Sequence, residues 1–495
     1  MGDDAGRTPE QKALRGINGV SHGGDFAPIR LSLGPWPLEL RLDQEVAVQS
    51  AWMDDLGARL AAEMRRHKVP GASLAVLTGD KVYLAAAGVA DIETGCNVTK
   101  QTSFPIGSTT KAMTATLVMQ SVERGRIDLD APVQRYLPDF RLAGPSHGIT
   151  VRHLLAHTSG IKGDFFIDVG DGDDALARYV TALRNVPTLY EPGRFYSYCN
   201  AGYAVLGRIC EVVEQSVWDD LLRDRLFGPA GMDRSASRTV EAAALDAAAG
   251  YDRDGGELRP AVKSTRSSGP AGSTVIGTAE DLIRFARVHL LGGTTVLRDD
   301  TILAMQVPQV PVPGGYFADH WGLGWMLMRW NGVSQYGHDG SIAGTLSLFR
   351  VFPERQVAIA LLCNASDGGA FVRAVAAGLF QELVGVDFPK PPMPVARSFD
   401  LGAYAGRYER YFARVDVVVD GEELVCRAYG LDPVSGALTS PDPAQVFRLR
   451  PCSTSVFVEV GTGRPPQSIV FLAFDDSGVP QFLFAGARAM KRVGG

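Results

Sequence analysis

The stretch FPIGSTTKAMTATLVMQSVERGRIDLDAP, residues 104–132, carries the most information about the fold of this chain. Pro105 and Gly107 indicate a loop, and Ser108 stands where a helix is expected to begin. The helix then continues with an apolar stripe at positions 113, 117, 118 and 122. Serine is a favoured helix N-cap, so a cap is the first explanation for Ser108.

A second explanation for Ser108 is chemical, because Lys111 follows it in a Ser-x-x-Lys pattern. One helical turn separates the two positions, which places hydroxyl and ammonium on the same face. A buried Lys111 can help to deprotonate Ser108, and the helix N-terminus favours the resulting alkoxide. Four residues alone are a weak signal, since chance matches occur in any chain.

Two later segments strengthen the chemical explanation. In PGRFYSYCNAGYAVLGRICEVVE, residues 192–214, Tyr198 and Asn200 lie in a predicted turn before an apolar helix. A phenol near a lysine can be held with a lowered pKa and act as a general base. In VSQYGHDGSIAGTLSLFRVF, residues 333–352, the run from Gly337 to Ser341 precedes a strand. An edge strand here could hold a substrate by backbone hydrogen bonds, and Gly340 would let the backbone approach the ligand.

Ser-x-x-Lys, Tyr-x-Asn and a late His-x-Gly, in this order, resemble the three motifs of the serine β-lactamase and penicillin-binding-protein superfamily. The resemblance is nearest to its class C-like branch of esterases, D-amino-acid peptidases and acyl transferases. LLAHTSG at 154–160 and the segment 267–290 resemble that branch as well, and the resemblance covers about residues 45–385. It implies an α/β (α+β) catalytic domain, in which an antiparallel sheet is flanked by helices and joined by a helical subdomain.

The resemblance also implies roles for the first two motifs. Ser108 attacks the substrate and becomes acylated. Lys111 and Tyr198 manage its proton and then that of the leaving group. Asn200 positions the substrate.

In the third motif, His338 takes the place of the lysine of the Lys-Thr-Gly form, and Gly340 and Ser341 are expected to bind substrate. The resemblance implies an oxyanion hole made by the backbone N–H groups of Ser108 and Ser341. A histidine is less permanently cationic than a lysine near neutral pH, and Asp339 beside it adds negative charge. Both features argue against a β-lactam carboxylate as the natural anchor.

Other segments offer competing sites. The runs GVSHG at 19–23 and GPSHG at 144–148 match the Gly-x-Ser-x-Gly nucleophile elbow, but neither follows a convincing strand. His153 and His157 could share a helical face as metal ligands, although no glutamate follows His153 and a structural role is favoured. We therefore predict no metal and no cofactor.

Two more features have an ordinary and a functional explanation. The acidic run GDFFIDVGDGDD at 163–174 lacks EF-hand spacing, so it is either a solvated turn or a rim of the active site that attracts a substrate amine. Cys199 lies inside the second motif, where a buried inert thiol is favoured over a nucleophile.

The domain organisation follows from pattern changes along the 495 residues. We predict an N-terminal arm at 1–43, a catalytic domain at 44–388, a proline-rich linker at 389–398 and an all-β domain at 399–495. Apolar spacing from about 43 to 66 predicts a helix. The last segment shows short strands and a hairpin turn at Asp420-Gly421, and it resembles the lipocalin-like barrels appended to some superfamily members. Such a barrel either stabilises or dimerises the chain, or forms a wall or lid over the cleft.

Composition excludes several function classes. The net charge of −6 argues against nucleic-acid binding. Six cysteines without a CxxC pair indicate a reduced environment. The start is polar and the longest uncharged run contains three prolines, so we expect neither a secretion signal nor a membrane helix, and a cytoplasmic protein.

Three functions remain open at this stage. The first is a serine acyl-enzyme hydrolase or acyltransferase acting on an ester, thioester or amide of a small or peptidyl substrate. The second is a thioesterase of the penicillin-binding-protein type, which releases and macrocyclises a nonribosomal peptide presented as a thioester by a carrier protein; the architecture resembles such proteins. The third is a binding protein without catalysis, which the three intact motifs disfavour.

Overall fold

The computed structural model describes residues 53, 55–144, 146–262, 265–290, 296–315, 317–395, 400–432, 435–461 and 467–494. The predicted arm, the GVSHG run and the first part of the predicted helix at 43–66 lie outside these ranges. The described α-helices of five or more residues are α1 Leu56–His67, α2 Thr110–Glu123, α3 Val151–Leu155, α4 Ala175–Ala182, α5 Asn200–Glu214, α6 Trp218–Leu222, α7 Ala279–Val288, α8 Asp299–Met305 and α9 Gly369–Val384.

The first part of the chain builds an antiparallel sheet from strands at both of its ends. The strands of residues 53–395 are β1 Gly71–Thr78, β2 Lys81–Gly88, β3 Phe104–Pro105, β4 Tyr251–Asp254, β5 Glu257–Pro260, β6 Ile276–Gly277, β7 Val310–Pro311, β8 His320–Trp321, β9 Met326–Trp330, β10 Val333–Ile342, β11 Thr345–Phe352 and β12 Val357–Cys363. Eight of them form the sheet in the order β2-β1-β12-β11-β10-β9-β8-β7. This arrangement confirms the predicted antiparallel sheet with helices.

Both faces of the sheet are covered, which explains why β1 and β12 read as continuous apolar runs rather than alternating ones. One face packs against α2, α5 and α7. The opposite face packs against α1 and α9, and α1 contributes Leu56, Leu60 and Met64. The three sequence motifs therefore lie where the sheet meets the helical layer that contains α2 and α5.

The end of the chain forms the predicted antiparallel barrel. Its strands are β13 Gly406–Arg410, β14 Ala413–Asp420, β15 Glu423–Gly430, β16 Gln445–Pro451, β17 Val456–Val460, β18 Ser468–Phe474, β19 Pro480–Ala485 and β20 Arg488–Val493. They close in sequence order, and β13 pairs with β20.

One predicted turn in the barrel is displaced by a single residue. Asp420 pairs with Glu423, so the two turn residues are Gly421 and Glu422 rather than Asp420 and Gly421. Gly421 has φ of 61°, and a glycine adopts that conformation without the steric penalty that a Cβ would bring.

Among the described residues, no helix is long and apolar enough to cross a membrane.

Candidate active site

Ser108 lies in a short 3₁₀ turn, Gly107–Thr109, that leads into α2. The cap explanation for Ser108 is wrong, because Thr109 occupies the N-cap position and makes no side-chain cap hydrogen bond. The Ser108 hydroxyl is instead 3.0 Å from the Lys111 ammonium nitrogen. The one-turn spacing thus brings the two groups into direct contact.

Lys111 is completely buried, although its side chain is long and ionisable. Its Nζ donates to the Ala271 carbonyl at 2.5 Å and lies 4.8 Å from the centroid of the Tyr198 ring. Burial lowers the pKa of Lys111 well below its usual range, and nearby Arg488 lowers it further. An amine with a lowered pKa is a competent proton acceptor near neutral pH.

Tyr198 reaches the same point from the segment before α5. Its position depends on His157, whose Nδ1 accepts a hydrogen bond from the Cys199 N–H at 3.0 Å. The His157 carbonyl accepts from the Ser197 N–H at 2.9 Å, and the imidazole lies 4.3 Å from the Tyr198 ring. His157 thus holds the backbone on both sides of Tyr198.

The expected lowering of the Tyr198 pKa is not what the structure gives. Burial raises the pKa of Tyr198 above its ordinary value, and the Ser108 hydroxyl and Arg488 offset that only in part. The neutral phenol is therefore the stable form near neutral pH. The motifs indicated a lysine near Tyr198, but they could not show how deeply the phenol is buried, and burial is the largest effect on its pKa.

Asn200, the first residue of α5, directs its side-chain amide toward the acidic run at 163–174. Its Nδ2 donates to Asp164 Oδ1 at 2.9 Å. Asp164 is only 8% exposed, so the first carboxylate of that run is not part of a solvated turn. Phe166, two residues later, lines the cavity described below, and the run thus forms part of the site's rim.

Strand β10 supplies the third motif at a locally free edge. β9 pairs with β10 only from Val333 to Gly337, whereas β11 continues as far as Ile342. Among the described strands, residues 338–342 therefore pair on one side alone, and all five line the cavity described below.

The reason for glycine at 340 differs from the one expected. A Cβ at Gly340 would lie 2.0 Å from the Ile106 carbonyl oxygen and 2.4 Å from Ser347 Oγ. Glycine at 340 therefore leaves room for Ile106, in the loop that precedes Ser108. Gly107, with φ of 55°, approaches the Ser341 nitrogen in the same way, since its Cβ would be 2.7 Å away. These contacts bring the Ser108 and Ser341 segments side by side.

His338 is buried on the face of the sheet that packs against α2, the helix that carries Lys111. Burial and the Lys111 charge lower the pKa of His338 to about 3, so the imidazole is neutral at physiological pH. Asp339, the next residue of β10, also lines the cavity described below, and its carboxylate is one of the groups that raise the pKa of Tyr198. Arg350 pairs with Asp339 through bonds of 2.6 and 2.9 Å and so offsets part of its negative charge.

These groups open into a cavity of about 690 Å³. Ser108, Tyr198, Asn200 and His338 line it, together with several apolar side chains from the loop before β8, from β9 and from β11. A mostly apolar cavity with a few convergent polar groups is the usual form of a small-molecule site.

Among the charged groups of this cavity that the sequence did not indicate is Arg488, which comes from the barrel. Its guanidinium carbon lies 5.0 Å from the centroid of the Tyr198 ring, and it pairs with Asp164. An arginine next to a Gly-Ala turn gives no signal by itself, and 324 residues separate it from Asp164. The barrel therefore forms a wall of the cavity.

The competing candidates within the described ranges lie outside the cavity or have structural roles. Ser146 lies in a loop before α3 and not after a strand. His153 Nδ1 accepts from the Thr150 N–H in a capping box, and within the described ranges no group of three or more His, Cys, Asp or Glu side chains could hold a metal ion. Cys199 is buried, and burial raises its pKa to about 11, which keeps the thiol protonated.

An antiparallel sheet with helices brings a fully buried lysine and a half-buried serine and tyrosine together beside a strand edge that pairs on one side, which indicates the serine-hydrolase class. The sequence model of the family described as Beta-lactamase matches residues 56–382. The chain belongs to the β-lactamase and penicillin-binding-protein superfamily, whose members are generally serine hydrolases.

Three relatives illustrate the range of similarity. Penicillin-binding protein 4 of Amycolatopsis lactamdurans is 41% identical over 367 residues, covering 71% of this chain and 96% of that protein. A D-aminopeptidase of Brucella anthropi is 29% identical over 288 residues, covering 57% of this chain and 53% of that protein. The crystal structure of SurE superposes with a TM-score of 0.75 and 30% identity, covering 90% of this chain and 99% of SurE, so the similarity extends into the barrel.

Proposed function

We propose that this chain is a serine hydrolase or acyltransferase that forms a covalent acyl-enzyme on Ser108 from an ester, thioester or amide. The observation that supports this most is the 3.0 Å contact between the Ser108 hydroxyl and the nitrogen of a completely buried lysine. A lysine whose pKa is lowered by burial can accept the proton of the attacking hydroxyl.

In acylation, Ser108 Oγ attacks the substrate carbonyl while its proton passes to neutral Lys111. The negative charge that develops on the carbonyl oxygen is stabilised by the N–H groups of Ser108 and Ser341, whose segments the two glycine contacts hold together. The tetrahedral intermediate then collapses, and the bond to the leaving group breaks. The leaving group receives a proton from the neutral Tyr198 phenol, and Lys111 returns its proton to Tyr198.

Deacylation reverses these steps with a new nucleophile. Water or an amine gives a proton to neutral Lys111 as it attacks the acyl carbon. The bond between the acyl carbon and Ser108 Oγ then breaks, and Lys111 returns that proton to Ser108 Oγ, 3.0 Å away. Water yields a free acid and an amine yields an amide. His338 is neutral throughout, so its role is to orient and hydrogen-bond rather than to supply a positive charge.

For the substrate class, we propose a D-configured amino-acid or peptidyl acyl group. The support comes from the names of similar proteins: one is a D-aminopeptidase, and SurE has been solved with D-Leu at 30% identity and 90% coverage of this chain. A D-amino acid amidase of Ochrobactrum anthropi is a further structural neighbour at 25% identity, with a TM-score of 0.56 over 67% of this chain.

A second candidate is acyl transfer to an amine, including cyclisation of a peptidyl thioester delivered by a carrier protein. It is favoured by the size and lining of the cavity, which at about 690 Å³ has room for an acceptor as well as an acyl group. Partial cover by the barrel would also limit access of bulk water to the acyl-enzyme.

Labelling followed by peptide mass analysis tests the acyl-enzyme. A fluorophosphonate should leave one adduct, on the peptide that contains Ser108, and none in Ser108→Ala. Ser146→Ala, which removes the competing Gly-x-Ser-x-Gly serine, should label like the wild type. An adduct elsewhere, or one that persists in Ser108→Ala, rejects the assignment.

Product analysis separates the two candidates. A linear peptidyl thioester with a free amine and a D-residue at its acyl end should give cyclic amide if the amine resolves the acyl-enzyme. Linear acid as the product at every substrate concentration would reject cyclisation and leave hydrolysis.

A further inference from the structure

The last hairpin of the barrel, formed by β19 and β20, contacts the segment that carries Tyr198. The Tyr198 N–H donates to the Ala487 carbonyl at 2.9 Å, and the Ala489 N–H donates to Ser197 Oγ at 3.1 Å. Ala487 has φ of 67°, a conformation that non-glycine residues rarely adopt, so the turn keeps a shape that costs energy locally. The barrel therefore holds the backbone of the second motif directly.

A single carboxylate, that of Asp164, joins this hairpin to the side chains of the site. Its Oδ1 accepts from Asn200 Nδ2 at 2.9 Å and from Arg488 Nη2 at 3.1 Å. Its Oδ2 pairs with Arg488 Nε and with Arg410 Nη1, the latter at 3.1 Å. Asp164 thus connects one side chain of the Tyr-x-Asn motif with two arginines of the barrel.

Arg488 carries this connection on to the proposed proton carriers. Its guanidinium lies 5.0 Å from the Tyr198 ring centroid, within the range of a cation–π contact. The Lys111 nitrogen lies 4.8 Å from the same centroid. If Asp164 did not hold it, the long Arg488 side chain would be free to adopt other rotamers away from the ring.

We propose that Asp164 is a positioning residue for acyl transfer: it holds Arg488 of the barrel against Tyr198 and fixes the side-chain amide of Asn200. This inference rests on the proposed function, because it assigns the barrel a part in the same reaction. A carboxylate that only fastened two domains together would need the two arginines, but it would not need Asn200, and its arginine would not need to contact the phenol.

The electrostatics give the proposal a distinctive signature. Asp164 raises the pKa of Lys111 and Arg488 lowers it, on top of the larger effect of burial. The titratable or charged groups that face Lys111 are Ser108, Tyr198, Tyr203, Cys199, His157, His338, Asp164 and Arg488. Removing the negative or the positive member of the ion pair should therefore shift the acid limb of acylation in opposite directions.

The test uses the full chain with p-nitrophenyl acetate, and compares Asp164→Asn, Arg488→Met and the double variant. In Asp164→Asn, kcat/KM should fall by about 10–100-fold, which is the effect of misplacing reacting groups by up to about 1 Å. Its acid limb should move to lower pH, because Lys111 loses a negative neighbour. The acid limb of Arg488→Met should move to higher pH, and that of the double variant should return toward the wild-type position.

The matched control is Asp416→Asn, which removes a partly buried carboxylate that pairs with Arg414 inside the barrel. It should leave kcat/KM and the pH profile unchanged. Urea unfolding of every variant shows which of them are folded. The position of the acid limb can then be compared between variants, because it does not depend on how much of the protein is folded.

Two results would overturn the proposal while Ser108 labelling still succeeds. One is a wild-type value of kcat/KM in Asp164→Asn. The other is an acid limb of the pH profile that stays in place in both single variants or moves in the same direction in both. Failure of wild-type protein to form any adduct at Ser108 would instead overturn the proposed function itself. The two failures are therefore distinguishable.

Discussion

Replacing Gly340 by alanine probes the contact that places Ser108 beside β10. The new Cβ would lie 2.0 Å from the Ile106 carbonyl oxygen, whereas ordinary contacts at a Cβ begin near 3.4 Å. The two atoms must therefore separate by about 1.4 Å. Ser347 Oγ cannot make room without loss, because it donates to that same carbonyl at 2.8 Å.

The displacement should reduce both stability and activity. Overpacking of a buried contact costs about 1–3 kcal/mol of unfolding free energy. Ile106 lies two residues before Ser108, so a shift of its carbonyl moves the serine relative to the Ser341 N–H. A misplacement of about 1 Å at a reacting centre costs about 10²-fold in rate, and we expect a loss of that order in acylation.

Burst kinetics with p-nitrophenyl acetate and urea unfolding measure the two effects. Gly57→Ala is the matched control, because the Cβ there meets nothing within 4 Å and the residue lies in helix α1. That control should gain up to about 1 kcal/mol of stability and keep its acylation rate. If folded Gly340→Ala acylates at the wild-type rate, the contact with Ile106 does not position Ser108, and the reasoning is wrong.

Three further predictions concern ionisable groups. The pKa of Lys111 in the folded protein lies below its unfolded value of about 10.4. Between these two pKa values, the free energy of unfolding of the wild type should therefore rise with pH by about 1.4 kcal/mol per pH unit, relative to that of Lys111→Met. A difference between the two proteins in urea unfolding that does not change with pH would contradict this. The His338 imidazole has a pKa of about 3, so its NMR signal, assigned by comparison with His338→Gln, should not shift between about pH 5 and 8. A titration midpoint near 6.5 would mean that the imidazole is not buried as described. Iodoacetamide at neutral pH should alkylate exposed Cys96 in the folded protein and spare Cys199, and rapid modification of Cys199 would show a reactive thiol.

Patterns within a few residues predicted much of the fold. The two short apolar runs on either side of Gly79-Asp80 predict the hairpin of β1 and β2, because a tight turn and its flanking apolar runs are local features. The apolar runs 346–352 and 356–362, which flank a Pro-Glu-Arg turn, predict the pairing of β11 with β12 in the same way. The short strands β7 and β8 were not predicted, since two-residue pairings carry no periodicity that a sequence can show.

For the candidate site, the sequence supplied the residue types but not their surroundings. In the sequence, His157 appeared as part of a family-like segment and as a disfavoured metal-ligand candidate. Its hydrogen bond with the Cys199 N–H depends on a fold that joins residues 42 positions apart. Arg488 gave no signal at all. The direction of the Tyr198 pKa was wrong, because burial is the sum of contacts from many elements and outweighs the neighbouring charges.

By itself, the sequence determined the order of the three motifs, the one-turn spacing of Ser108 and Lys111, and the change from a mixed α and β pattern to short strands near the end. These features are local, since backbone geometry fixes which residues share a face over a turn or a strand. Only the tertiary structure decided that the barrel reaches the site, that Asp164 joins Arg488 to Asn200, and that burial lowers the pKa of Lys111 and raises that of Tyr198. Charges and burial depend on residues hundreds of positions away, and chain folding alone brings these together.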